Sequence, residues 1–200
     1  MANPPRSNTN TDPARRLRLI KCIGIVILAF IVLVGIAVLA AWLVIRPRRL
    51  VYTIEDGSVH EYGLHYKHLN ASFNFVFRAY NPNHKVSVYY DFMQVSVFYD
   101  DEPIAFDIVE PFYQPRHNVT RLEVKPVARS APLLESATKD LRLERTAGEM
   151  ELTVKVKARI RIKVGSWKSS ERILRVTCYP VDVHFSSTKS FVRTKCVSHV

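Results

Sequence analysis

Residues 152–164 read LTVKVKARIRIKV, and this stretch decides the fold. Leu152, Val154, Val156, Ala158, Ile160, Ile162 and Val164 share one parity, and Thr153, Lys155, Lys157, Arg159, Arg161 and Lys163 share the other. Successive side chains of a strand point to opposite faces, whereas a helix would scatter both classes around its axis. Strict alternation over 13 residues therefore predicts a half-buried strand with an apolar face on a core and a polar face outward.

The same period recurs on both sides of that stretch. Ser72–Tyr80 (SFNFVFRAY) puts Phe73, Phe75 and Phe77 on one face. Val86–Tyr90, Gln94–Tyr99, Ile104–Val109, Asn118–Val124 and Arg172–Phe185 alternate too, and a first strand is expected near Leu50–Ile54. Turn chemistry falls between the runs, at Asn81-Pro82-Asn83, Asp100-Asp101-Glu102-Pro103, Gln114-Pro115, Gly165-Ser166 and Ser186-Ser187-Thr188. One stretch breaks the pattern. Ala131–Leu143 places Leu133, Leu134, Ala137 and Leu141 at helical spacing, with Pro132 suited to a first turn. Short strands at this spacing predict a mainly β, antiparallel sandwich with one short helix.

Two cysteines fit such a sandwich. If Val176–His184 and Ser190–Ser198 form a hairpin turning at Ser187, Cys178 and Cys196 face each other. A directly opposed, non-hydrogen-bonded pair has Cα atoms about 4.5 Å apart, within disulfide range. A Cys178–Cys196 bond is the expectation, and two buried free thiols are the alternative.

The N-terminal part has no such period. Cys22–Ile45 is 24 consecutive residues without a charge, 16 of them Ile, Val, Leu or Phe. A helix of that length reaches about 36 Å, enough to cross a hydrocarbon core of about 30 Å. The apolar core of a cleaved signal peptide is only about 7–15 residues, so a retained transmembrane helix over residues 22–45 is expected. Residues 1–21 form a basic tail. Its start, MANPPRSNTNTDPA, has no large apolar side chain and is expected to be disordered. Arg15, Arg16, Arg18 and Lys21 precede the span and Arg46, Arg48 and Arg49 follow it, a slight bias toward a cytoplasmic N-terminus. Two N-glycosylation sequons, at Asn70 and Asn118, and the cysteine pair add to it, because glycans and disulfides form on the extracytoplasmic side. The expected layout is cytoplasmic 1–21, transmembrane 22–45 and an extracytoplasmic β domain over 46–200, held close to the bilayer by a short linker. Cys22 sits at the cytoplasmic edge of the span, where palmitoylation and plain apolar filling are both open readings.

The net charge of +11 divides into +4 for residues 1–21 and +7 for residues 46–200. A basic balance suits nucleic acid, anionic lipid or an acidic polymer, and a membrane anchor sets nucleic acid aside. There is no G-x-S-x-G, H-E-x-x-H, phosphate loop or dinucleotide fingerprint, so the chain reads as a binding protein rather than an enzyme, with no cofactor. His60, His65 and His68 match no common zinc spacing, and Asp100-Asp101-Glu102 reads as a solvated turn, so no metal is expected. The stripe Lys155, Lys157, Arg159, Arg161, Lys163 puts five cations along about 27 Å of one strand face. One reading is an ordinary solvated face. The other is a docking surface for anionic lipid head groups or acidic cell-wall polysaccharide.

Several strings then stand out together: Asn81-Pro82-Asn83, Tyr89-Tyr90-Asp91, Pro111-Phe112-Tyr113-Gln114 with Asn118 after it, and Arg159–Gly165 (RIRIKVG). With an N-terminal span ending in Arg-Pro and a late cysteine pair, the chain resembles, over roughly residues 15–200, the plant family named for non-race-specific disease resistance and harpin-induced proteins. Its ectodomain is the group-2 late-embryogenesis-abundant domain. That resemblance implies an Ig- or fibronectin-like sandwich and a plasma-membrane location, sometimes at plasmodesmata. It also implies a part in pathogen defence, the hypersensitive response and stress signalling, with protein partners. One departure is visible: the family's Tyr-Gln-Gly is Tyr113-Gln114-Pro115 here, which puts a fixed φ near −65° where glycine would be free.

Overall fold

A computed structural model describes residues 13–45, 48–185 and 190–199. The chain forms two compact units, Met1–Arg46 and Pro47–Val200. The first holds α1 (Pro13–Ile45), whose stretch Ile20–Ala40 has a mean hydropathy of 3.3 and no buried residue. Its 21 residues reach about 32 Å, which is long and apolar enough to cross a membrane. Water would be a poor solvent for a helix that exposes Ile, Val, Leu and Phe on every side.

The second unit is β-rich and antiparallel. Its long strands are β1 (Val51–His65), β2 (His68–Asn81), β3 (Val86–Tyr99), β8 (Glu149–Val164) and β10 (Arg172–His184). Shorter ones are β4 (Glu102–Val109), β5 (Phe112–Gln114), β6 (Asn118–Val124), β7 (Val127–Pro132), β9 (Trp167–Lys168) and β11 (Thr194–His199). β8 lies between β3 and β10, with Ser96 and Thr177 on either side of Lys155. On the facing layer β1 pairs with β2, and β2 pairs with both β6 and β7. The two layers are laced together at their edges. β4 meets β7 at one pair, Phe106–Val127, and β11 joins β10 to β1, which it meets at Lys195–Thr53 and Thr194–Ile54.

The core lies between the layers. From β8 it takes Leu152, Val154, Val156, Ala158 and Ile160, all buried; Ile162 and Val164, at the end of the strand, are only half-buried. Phe73, Phe75 and Phe77 of β2 fill the centre, where each fully buried aromatic or branched side chain stabilises by about 1.5–3 kcal/mol.

Three expectations change in detail. Val86–Tyr90 and Gln94–Tyr99 are one strand, because the register shifts between Tyr90 and Phe92. A bulge at Asp91 puts Asp91 and Phe92 both on the outer side and restores the inward parity at Met93. The helix starts later than read: α2 is Glu135–Ala147, and Ala131-Pro132 closes β7 instead. Pro132 is tolerated there because it ends the strand. Leu133, Ala137 and Leu141 are buried as expected, whereas Leu134 is the exposed N-cap. The turn read at Ser187 lies outside the described residues, as does the start of the basic tail. The Asp100-Asp101 turn is a two-residue hairpin loop with both residues at positive φ, a conformation Asp tolerates.

Candidate functional site

The strings that carried the resemblance meet at one end of the sandwich, where they form a buried polar scaffold. Gln114 is fully buried; its Nε2 donates to the Ala79 carbonyl at 2.9 Å and its Oε1 accepts from the Tyr90 hydroxyl at 3.1 Å. Tyr90 in turn shares a short hydrogen bond with Tyr52 from the facing layer. Burial raises the pKa of both hydroxyls, which keeps them as neutral donors at any physiological pH. Asn81 Nδ2 donates to the carbonyls of Val86 and Pro115, at 2.8 and 3.0 Å. Asn83 Nδ2 donates to the Arg48 carbonyl and Asn83 Oδ1 accepts from the Arg48 N–H. Buried amides with these partners fix the loops that bear them. Pro115 thus keeps the role of its backbone carbonyl although glycine is absent.

The outer face of β8 carries Lys155, Lys157, Arg159, Arg161 and Lys163 side by side, as its parity demands. The structure adds what the single strand could not show, namely the neighbours. The Asp91 bulge aims a carboxylate across at Arg161, and Nε donates to Oδ2 at 2.7 Å. That bonded guanidinium holds the Asp91 carboxyl below its ordinary pKa. Arg159 lies 3.5 Å from Glu171 and over the Phe92 ring; Lys155 lies 3.9 Å from Asp101 and over Phe98. Two further cations flank the stripe: Arg175 stands opposite Lys157 and Lys168 opposite Lys163. Among the described residues, neither Lys157 nor Lys163 has a carboxylate partner. Over the 155–163 part of β8, seven cations therefore face three carboxylates, while Glu149, Glu151 and the Asp182 opposite Glu151 make the other end of the same face acidic. Directly opposed like charges are destabilising across strands, so the 155–163 part holds a net positive field that a bound anion would relieve.

The other predicted residues are spread over the domain. Cys178 and Cys196 are directly paired between β10 and β11 and bonded, with Cα atoms 4.2 Å apart. Asn70 and Asn118 are both exposed. Asn70 Oδ1 accepts from the Ser130 N–H at 2.8 Å, and among the described residues its Nδ2, the atom a glycan would take, has no hydrogen-bond partner. Cys22 is a free, exposed cysteine on α1. Among the described residues, His60, His65 and His68 included, no group of three or more His, Cys, Asp or Glu side chains could hold a metal ion. Sequence reasoning missed Lys168 and Arg175. No spacing rule links them to the stripe, because they arrive from other strands.

Comparison with known proteins gives this architecture a family. The model of the late embryogenesis abundant protein family LEA_2 matches residues 76–178, which span β2 to β10 and contain both the scaffold and the stripe. An uncharacterized Arabidopsis thaliana protein, At1g08160, is 36% identical over 92% of this chain and 85% of its own. NDR1/HIN1-like protein 3 of Arabidopsis thaliana is 30% identical over 86% of this chain and 77% of its own, and NDR1/HIN1-like protein 10 is 25% identical over the same shares. A solved protein from Archaeoglobus fulgidus aligns at 10% identity and a TM-score of 0.30, over 61% of this chain and 93% of its own. The chain belongs to the NDR1/HIN1-like family of late embryogenesis abundant proteins.

Proposed function

We propose that the protein is a single-pass plasma-membrane protein of plant defence and stress responses that acts by binding rather than by catalysis. Residues 1–21 lie in the cytoplasm, residues 22–45 span the membrane and residues 46–200 form the extracellular domain. The names of the relatives support the biological setting, and the apolar helix supports the anchor. The observation that carries the binding reading is the 155–163 part of the β8 face, with seven cations against three carboxylates on a strand flanked on both sides. That face suits an extended anionic partner, either acidic cell-wall polysaccharide or anionic lipid head groups, and would tether the membrane to it.

The test uses the full chain in phosphatidylcholine nanodiscs and the variant Lys155→Gln/Lys157→Gln/Arg159→Gln. Each cation near an anionic surface contributes about 1 kcal/mol, so binding to pectate or to phosphatidylserine vesicles is expected to fall on the order of 10²-fold at low salt. Unchanged binding would remove the reading. A chain lacking residues 1–14 is run alongside in a cell-death assay: signalling through the tail predicts lost output there, and tethering predicts loss only in the β8 variant.

A further inference from the structure

Beyond the β8 face, one end of the domain holds a second cationic feature. Lys85 from the β2–β3 loop, Arg116 from the β5–β6 loop and Lys163 near the end of β8 line a single hollow of about 150 Å³, together with Ser87 and Tyr113. The three cations come from segments 31 and 47 residues apart, so only the fold brings them together. No carboxylate lines the hollow. Among the described residues none of the three cations forms an ion pair, although the neighbouring Arg161 is neutralised by Asp91.

The backbone that bears these cations is held by the buried scaffold. Asn81 bonds the Val86 and Pro115 carbonyls, one residue from Lys85 and from Arg116. The His117 N–H donates to the Asn83 carbonyl at 2.9 Å, which ties the Arg116 loop to the Lys85 loop. Ser87 is paired in register with Lys163. Three like charges borne on fixed backbone and gathered at one hollow without an acid, beside two hydroxyl groups, form an anion site.

We propose that this hollow binds a phosphomonoester group. A phosphomonoester carries about −1.5 to −2 charges and three acceptor oxygens. It therefore matches three cations with an Arg fork and two hydroxyls, whereas a carboxylate offers one charge and two oxygens. At about 30 Å³ per water, the volume equals roughly five waters, room for the phosphoryl group and the first atoms of its ester. The source it fits is a lipid head group. Gly165, at φ +59°, turns the chain at the rim and leaves the mouth free of a side chain. Two and three residues further on are Trp167, 61% exposed, and Lys168, both types that sit at head-group level in membranes. Arg48, hydrogen-bonded to Asn83 at this end, follows the apolar span in sequence by three residues.

The experiment uses the full chain, produced without glycans, in phosphatidylcholine nanodiscs. Flotation with phosphatidic acid vesicles is compared with phosphatidylserine vesicles of matched charge. Wild type is expected to prefer phosphatidic acid, and Lys85→Gln/Arg116→Gln to lose that preference at least tenfold while still binding phosphatidylserine through β8. Far-ultraviolet circular dichroism checks that the variant is folded. The Lys155→Gln/Lys157→Gln/Arg159→Gln variant is expected to lose both lipids alike and keep the ratio, so failure of the β8 reading and failure of this one look different. Equal binding of the two lipids by wild type, or an undiminished preference in Lys85→Gln/Arg116→Gln, overturns the proposal. So does displacement by galacturonate but not by glycerol phosphate. Binding of glycerol phosphate without any vesicle preference overturns the lipid source.

Discussion

Removing the Cys178–Cys196 bond tests how the sandwich is closed. Cys196→Ala is the cleanest perturbation, because Cys196 is only half-buried while the fully buried Cys178 stays in the core as a small apolar thiol. The bond spans 18 residues of sequence. In the chain-entropy account, releasing a loop of that length frees the unfolded chain by about 3 kcal/mol. For a domain of this size, that corresponds to a melting temperature lower by roughly 6–12 °C. The loss should be uneven. β11 meets β10 over Arg175–Cys178 and β1 at only Thr53 and Ile54, so its few hydrogen bonds of about 1 kcal/mol each hold it weakly once the link is cut. Thermal unfolding of the full chain in detergent, followed by circular dichroism, measures the first effect. Hydrogen exchange read by mass spectrometry measures the second: amides 194–199 should lose protection while those of β8 keep most of theirs. A destabilisation below about 1 kcal/mol together with unchanged exchange at 194–199 would show that the bond does not close this edge.

Three further outcomes follow from the same structure. Gln114→Leu takes the side-chain donor from the buried Ala79 carbonyl and one of the two hydrogen bonds from the Tyr90 hydroxyl, which keeps Tyr52, and at about 1–3 kcal/mol for a buried group left short of a partner denaturant titration should show a loss of roughly 1–3 kcal/mol; no measurable loss would mean that the scaffold is not structural. Glu144, partly buried, has its pKa raised, by desolvation first, against the opposing pull of the Tyr99 hydroxyl. Its folded pKa lies above the unfolded one, so ionising it weakens the fold as pH rises through the folded value. Glu144→Gln should therefore raise the melting temperature at pH 7, with the gain shrinking as pH falls to the ordinary glutamate range near 4.5; a gain that grows on acidification would contradict this. Translation in the presence of microsomes should give a product bearing two endoglycosidase-sensitive glycans, reduced to one by Asn70→Gln or by Asn118→Gln, and an unmodified wild type would overturn the proposed orientation.

The β-rich fold was legible because its signal is local. Alternation in 152–164 needs no partner to be read, and a residue's parity survives whatever strand lies beside it. The Cys178–Cys196 pairing was legible for the same reason, since a hairpin register follows from counting. Where local signals conflict, neighbours decide. The Asp91 bulge split one strand into two apparent runs because a single extra residue reverses parity. Pro132 suits a helix start and a strand end alike, and the pairing of β7 with β2 chose the strand. The candidate site divides the same way. The five cations of β8 are a sequence fact, whereas their acids Asp91, Asp101 and Glu171 and the added Lys168 and Arg175 come from other strands, a turn and a link distant in sequence.

Sequence alone thus determined an apolar span, a half-buried β domain and a basic strand face, each a periodicity or composition that one segment expresses by itself. Only the tertiary structure decided that Asn81, Asn83, Tyr90 and Gln114 are a buried scaffold and that Lys85, Arg116 and Lys163 share one hollow. Hydrogen bonds and Coulomb forces act over a few ångströms of space, and distance along the chain says nothing of them until the strands are in register.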